Sequence, residues 1–458
     1  MNKKTKRTFA LLISLVLLVG LLTACGGNDG STNKPTDDSS SAPPAENGGK
    51  ETKGEEAVVT VWIAGAEDED PTSDFSRVSA WAEKFNEDNK GRIHVEVSGN
   101  HSPADILTVI SAESTPDIFY NWWNNTPSWA DSGAILDLTD YIAKTPEYDI
   151  DDFLPYTLTM AAHPDGRQFA IPWTVSTSAL FYNKDMLAEA GYTEPPKSLD
   201  EILEIHKKVT KIENGVVKQA GIIPDIPWLE NVGWPVATGA YWADEDGNVT
   251  FDTPEMRKAY QIQADMYETM GGYDAGQQFV STLGKIGEAT DPVLMGKVAM
   301  LYLPDGNINN YIEFGKDVNW GVIPLPGDTG QQMLTIGTFA INAKSKHPDL
   351  AWEALSSLTG KESLVKFIIG GKNNQGRTMA RKSSLEALIN DDSYSQEIRT
   401  IAQGMLDAQM RGFAVSSYIN EYLNIINEEM SEAVAGRTTV EDAAAKVQSR
   451  VSEVAGRD

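Results

Sequence analysis

Tryptophans and carboxylates set beside turn residues are the groups in this chain with the means to hold a ligand. Trp122 and Trp123 follow the apolar run 118–120 and precede the polar run Asn124-Asn125-Thr126. Trp173 follows Pro172 at the end of Phe169-Ala170-Ile171, and Trp228 and Trp234 bracket Glu230 and Asn231. Such a set suits a sugar ring. The apolar C–H face of a pyranose stacks on an aromatic plane, and its hydroxyls need carboxylate or amide partners. Each tryptophan could instead be core. That role fits Trp62, Trp81, Trp320 and Trp352, which fall in apolar periodic runs, whereas polar or turn flanks favour a ligand wall for Trp122, Trp123 and Trp173. The acidic run 67–70 follows the first strand and precedes a helix. Its ordinary role is favourable charge at that helix N-terminus, with Asp74 or Ser76 as cap. Glu67 and Asp68 are equally candidates for touching ligand.

Other chemistry lacks its motifs. The histidines His94, His101, His163, His206 and His347 are not spaced as metal ligands, and no His-Glu-x-x-His occurs. Each reads as a surface or satisfied polar residue. A phosphate-cradling loop and a Gly-x-Ser-x-Gly elbow are missing. Asp244, Asp246, Gly247 and Asn248 lack the glutamate that closes a calcium loop, so a hairpin turn at Asp246-Gly247 is the better reading. No cofactor and no metal are expected. Carboxylates among tryptophans also suit a glycoside hydrolase or lyase, but no acid pair stands out.

These groups need elements to position them. The run 58–63 is a β-rich strand stopped by Gly65, and Ile93, Val95 and Val97 alternate as a strand. Val78, Trp81, Ala82 and Phe85 recur at helical spacing. Ser198 with Glu201 forms a capping box, Thr253-Pro254 opens another helix, and Thr438 with Glu441 caps a last one carrying Val440, Ala444, Val447, Val451 and Val454. Strands alternating with helices predict an α/β protein. The formal charge of −28 repels phosphate backbones, so no nucleic-acid partner is expected.

The N-terminus reads as a targeting segment, with a basic Lys3–Arg7 region and an apolar run from Phe9 to Leu22. Leu22-Thr23-Ala24-Cys25 resembles a bacterial lipobox, which implies cleavage before Cys25 and a lipid on its sulfur. Cys25 is the only cysteine, so the exported body can form no internal disulfide. Residues 26–56 have the composition of a disordered tether.

The body resembles family-1 extracellular solute-binding proteins, the group that contains maltose- and oligosaccharide-binding proteins of ABC importers. The match runs through nearly the whole mature chain in the family's order: Val61-Trp62 then Gly65, Thr115-Pro116-Asp117-Ile118, then 133–138, 166–172, 181–202, 295–300 and 321–326. The stretch 181–202 (FYNKDMLAEAGYTEPPKSLDEI) is the most specific. The resemblance implies a two-lobed periplasmic-binding-protein-like fold of type II with hinge strands and a ligand cleft between lobes. It implies a signal peptide over 1–24, a lipidated tether over 25–56, lobe 1 over 57–175 plus 327–371, and lobe 2 over 176–326 plus 372–458. Crossings fall near 174–178, 323–327 and 371–377.

Carried over by position, ligand contacts fall at Ala66 and Glu67, at Asn121, Trp123, Asn124 and Asn125, and at Trp173 and Ser176. On the second lobe they fall around Trp228 and Glu230, around Asp305, Gly306 and Asn307, and from Phe413 to Tyr418. Ser176 stands where maltose-binding relatives carry an acid, and Gly306 where they carry an aromatic, which puts maltose itself in doubt. The implied molecule is a monomer, not an enzyme, held to the outer face of the cell membrane by lipid alone. It would deliver a carbohydrate to the transmembrane subunits of an ABC permease. A sensory receptor on the same fold remains open.

Cys25→Ser should release the body from the membrane or block its processing while leaving ligand affinity unchanged. Cell fractionation checks this, and a variant still membrane-bound and normally processed would refute it.

Overall fold

The computed structural model describes residues 56–68, 73–109, 116–226, 231–244, 248–369, 376–413 and 416–456. Cys25, the leader, the tether up to residue 55, and the candidates Trp228 and Glu230 lie outside the described residues.

In chain order the strands are β1 (Ala57–Trp62), β2 (Ile93–Ser98), β3 (Ile118–Trp122), β4 (Ala170–Ser176), β5 (Ser178–Asn183), β6 (Lys211–Glu213), β7 (Val216–Ile222), β8 (Val298–Pro304), β9 (Trp320–Pro324), β10 (Gln332–Met333), β11 (Thr335–Ile341) and β12 (Met410–Arg411). They build two five-stranded sheets, ordered β2-β1-β3-β11-β4 and β6-β7-β8-β5-β9, and a small β10-β12 pair. In the first sheet β1 runs parallel to β2 and β3, while β11 lies antiparallel between β3 and β4. In the second, β7 and β8 are parallel and β5 is antiparallel to β8 and β9. β4, β5 and β8 are buried on both faces, which explains why they read as continuous apolar runs rather than alternating ones.

The chain passes from the first sheet to the second with only Thr177 between β4 and β5, and returns between β9 and β11. The segment after residue 376 was expected with the second lobe, but its first part packs on the first. Met379 bridges to Thr174 and Arg381 to Phe153. Arg381 is fully buried and donates to the carbonyls of Tyr148, Asp149 and Thr359. The helices Ile419–Val434 and Val440–Ala455 pack with the Pro254–Thr269 helix of the second body.

The helix caps follow the predicted chemistry, with shifts of one residue. Ser73, not Asp74 or Ser76, caps the Asp74–Asp88 helix by accepting from the Ser76 N–H at 3.1 Å. Thr439 rather than Thr438 caps the last helix, accepting from Asp442 at 3.0 Å. Ser198 accepts from the Glu201 N–H, and Glu201 in turn accepts from Lys197, one residue before the expected partner. The Asp246-Gly247 turn lies outside the described residues, but its flanks pair through Ala243 and Val249.

His206 is a satisfied polar residue in the core. Its helix Leu199–Val209 lies so close to β7 that a Cβ on Gly221 would sit 2.3 Å from the His206 Cα. Nδ1 accepts from the Ile222 N–H and Nε2 donates to the Met266 carbonyl, both at 3.0 Å. That arrangement demands one neutral tautomer, and burial pushes the pKa down to about 4. The unfolded chain therefore binds this proton first. The stabilisation is complete above the ordinary value of 6.5 and is lost as pH falls toward 4. The shift corresponds to something on the order of 3 kcal/mol. Imidazole NMR signals of His206 should stay neutral down to about pH 5, and urea midpoints should fall between pH 6.5 and 4.5. Titration of His206 at its ordinary value would refute this.

Candidate functional site

The carboxyl ends of β1, β2 and β3 open at one end of the first sheet, the usual ligand edge of such sheets. Residues two apart on a strand share a face, so Tyr120 and Trp122 project together from β3. Their rings meet edge to face at 5.4 Å. Trp122 is 46% exposed, whereas Tyr120 is buried beneath it. Gly337 on β11 stands opposite Trp122. It must lack a side chain, because a Cβ there would lie 2.2 Å from the Tyr120 hydroxyl. Burial pushes that phenol well above its ordinary range, with Asp74 adding to the rise and Arg377 opposing it.

Of the predicted wall, only Trp122 presents a face to solvent. Trp173 is fully buried, its ring edge-on to Tyr120 and Phe339, and its Nε1 has no acceptor. It belongs to the core, since β4 lies against β11 and the 378–380 segment. Trp123 begins the short 3-10 turn Trp123–Asn125 and folds under Phe413, stacked at 5.6 Å, with Phe413 in turn 4.1 Å from Trp242. Asn121 is fully buried and its amide is committed to Thr126 and Asn125. These three therefore offer no open face or free amide to a ligand. Trp62, read as core, is only partly buried and stacks on His101 with centroids 3.8 Å apart.

The polar candidates divide likewise. Glu67 and Asp68 are exposed. The Glu67 carboxylate accepts from Ser98 and from the Gly99 N–H at 2.8 Å, which fixes the β2 exit. Asn124 bonds Asn420 at 2.6 Å, joining the first sheet's turn to the start of the Ile419–Val434 helix. Asn307 and Tyr418 are half-buried, and Asn307 donates to the Pro304 carbonyl.

Asp305 sits at the junction of the sheets. It is buried, and its carboxylate accepts from Ser176 and, at 2.8 Å, from Thr378. Its N–H donates to Thr177. Burial pushes its carboxyl up, and the two hydroxyls and the Arg377 charge hold it back. Arg377 lies close to Asp74, Tyr120 and Asp305, and none of Arg377, Asp74 and Tyr120 is among the ligand contacts predicted from the sequence. Nothing in the residues around Arg377 marks it. The signal was its place at the end of the third predicted crossing. A surface depression of about 590 Å³ lies elsewhere, among Trp81, Lys84, Glu353 and Lys366, and lacks a comparable aromatic platform.

The family described as bacterial extracellular solute-binding protein is matched over residues 69–364. The chain belongs to that family. It is 25% identical over 404 residues to the diacetylchitobiose binding protein DasA of Streptomyces coelicolor, covering 85% of this chain and 86% of that one. It is 25% identical over 213 residues to the sn-glycerol-3-phosphate-binding periplasmic protein UgpB of Brucella abortus, covering 43% and 45%. The solved structure of CpMnBP1 with mannotriose bound superposes with a TM-score of 0.71 at 21% identity, covering 86% of this chain and 99% of the other. The two sheets and their crossings are thus the two-lobed α/β fold of solute-binding proteins. The family is one of binding proteins. Among the described residues, no helix is long and apolar enough to cross a membrane, and no group of three His, Cys, Asp or Glu side chains could hold a metal ion.

Burial separates the tryptophans by stability. Trp173→Ala should lower the urea midpoint by the equivalent of about 3–5 kcal/mol, whereas Trp122→Ala should stay within about 0.5 kcal/mol. Equal midpoints for the two variants would show that Trp173 carries no packing.

Proposed function

We propose that this chain captures a carbohydrate in the crevice between its lobes and delivers it to an ABC permease. The observation that carries this reading is Trp122, an indole left 46% exposed at the end of β3 above a buried polar floor. A large aromatic face that the fold leaves open, next to carboxylates and a guanidinium, matches the two sides of a pyranose. The names of DasA and of the CpMnBP1 complex, which refer to diacetylchitobiose and mannotriose, support the same class. The lobes close on the sugar by rotation about the crossings, and ligand contact with both lobes favours the closed state. Lobe 1 is formed around the first sheet and lobe 2 around the second. Of the predicted contacts, Trp122, Glu67 and Asp68 are exposed and Ser176, Asn124, Asn307 and Tyr418 are partly buried, which leaves them open to a role in ligand contact. The body performs no chemistry on its ligand, works as a monomer outside the cytoplasm, and is held to the membrane by a lipid on Cys25.

A thermal-shift screen across neutral and acidic oligosaccharides identifies the ligand, because a true ligand raises the melting temperature by mass action. Calorimetry on Trp122→Ala should then show affinity reduced at least tenfold, or about 1.4 kcal/mol, with an unchanged melting temperature of the free protein. Wild-type affinity in that variant would remove Trp122 from the site. Turnover of a sugar by purified protein would replace capture with hydrolysis.

A further inference from the structure

We infer that Arg377, with Asp74, grips the polar edge of the ligand and selects a neutral vicinal diol over an acidic sugar. This rests on the carbohydrate reading above and names a contact that the predicted set omits.

Two arginines four residues apart give the contrast. Arg381 is fully buried and saturated, with carbonyl acceptors at Thr359, Asp149 and Tyr148 and the carboxylate of Asp152. Arg377 is enclosed by Asp74, Tyr120, Asp305 and Gly306, yet 37% of its side chain still reaches solvent. Among the described residues, its one hydrogen-bond partner is Asp74, at a long 3.5 Å, and its Nε is buried without an acceptor. A guanidinium has five N–H donors, and leaving most of them unmet in a crevice is costly unless an acceptor arrives. The backbone around it is nevertheless fixed. Asn309 donates to the Gly376 carbonyl at 3.2 Å, the Val175 N–H donates to the Thr378 carbonyl, and the Thr378 hydroxyl lies 2.7 Å from the Val175 carbonyl and 2.8 Å from the Asp305 carboxyl. Spare donors on a fixed stem describe a group made ready for a ligand, not a fold contact.

Gly306 leaves room beside it. A Cβ there would lie 3.7 Å from Nη1, so any longer side chain would fill the space before the guanidinium. Asp74, at the first turn of its helix and 26% exposed, has no hydrogen-bond partner among the described residues except Arg377. The pair therefore presents unused donors and unused acceptor lone pairs side by side, with no net charge. A hydroxyl both donates and accepts, so two adjacent hydroxyls match the pair. A carboxylate or phosphate would meet the fork but would also lie against Asp74, with buried Asp305 behind it. Tyr120 touches Trp122 and feels both charges, which places the aromatic platform and the polar fork in one crevice.

The test is calorimetric titration of the whole body with diacetylchitobiose and mannotriose as neutral probes. sn-Glycerol 3-phosphate and a uronate trimer serve as acidic probes. The variants are R377M, R377K and D74N. The wild type should bind a neutral probe with an affinity that changes less than about twofold between low salt and about 0.5 M salt, as expected for uncharged contacts. R377M and R377K should each lose at least tenfold, because lysine restores the charge but not the fork. D74N should weaken neutral-probe binding less. It should also improve the acidic probes, which a merely structural role for Asp74 would not do. Melting temperatures of the free proteins should stay together. Wild-type affinity in R377M would overturn the role of Arg377 while leaving the carbohydrate reading standing. Preference of the wild type for an acidic probe, falling steeply with salt, would overturn the selection of a neutral diol. No binding of any saccharide probe would overturn the carbohydrate reading itself, and this inference with it.

Discussion

A buried carboxylate ties the first and third passes of the chain between the two sheets. Asp305 directly follows β8, and its oxygens hold Ser176 at the end of β4 and Thr378 on the third pass. Its N–H holds Thr177, whose own hydroxyl reaches the Met333 carbonyl on β10. A charge taken out of water is tolerated only when its lone pairs are occupied. Here two hydroxyls from separate passes of the chain meet it, so polar geometry adds to the buried apolar side chains, such as Val175, Met333, Leu334 and Met379, in fixing the junction. Removing one partner would leave the carboxylate unsatisfied and loosen the registry of both sheets.

Away from the junction the two bodies also touch through side chains. Asn124 bonds Asn420, Ser417 bonds Asp131, and Trp123 stacks on Phe413. The two hydrogen-bonded pairs are exposed and exchange readily with water, so separating them costs little net free energy. The aromatic contact is stiffer, since Phe413 also packs on Trp242. In both sheets the central strands are covered on both faces, as β4, β5 and β8 show.

Helix periodicity and cap chemistry were legible because they are local. The burial of Val78, Trp81, Ala82 and Phe85, and the caps at Ser198 and Thr253, depend on residues within a few positions of each other. The fold class was legible from the order of elements, and the family from a run of short motifs. The site was only partly legible, for a geometric reason. Polar flanks placed Trp122, Trp123 and Trp173 together, but exposure depends on strand parity and on what lies across the sheet. Trp122 shares a face with Tyr120 and stands opposite a glycine, so it remains open. Trp123 leaves the strand for a 3-10 turn and meets Phe413, almost three hundred residues away in sequence. Trp173 is covered by a segment whose return to β4 through Ala380 no local pattern announces. Arg377 was invisible for the same reason: its meaning lies in having fewer partners than Arg381, which only the folded chain can reveal.

The charge of the whole chain bears on the ligand less than its sign suggests. A formal charge of −28 would disfavour the approach of anions over long distances. At physiological ionic strength the field decays over roughly 8 Å, so exposed acids on distant helices contribute little inside the crevice. What acts there is local. Arg377 supplies one positive charge and Asp74 offsets it, while burial raises the Asp305 carboxyl and two hydroxyls and the Arg377 charge oppose that rise. Electrostatics there is therefore set by these few close groups and not by the strongly acidic surface. The acidic exterior serves solubility, and in the proposed site the contacts with ligand would come from the open face of Trp122 and the hydrogen-bonding groups near it.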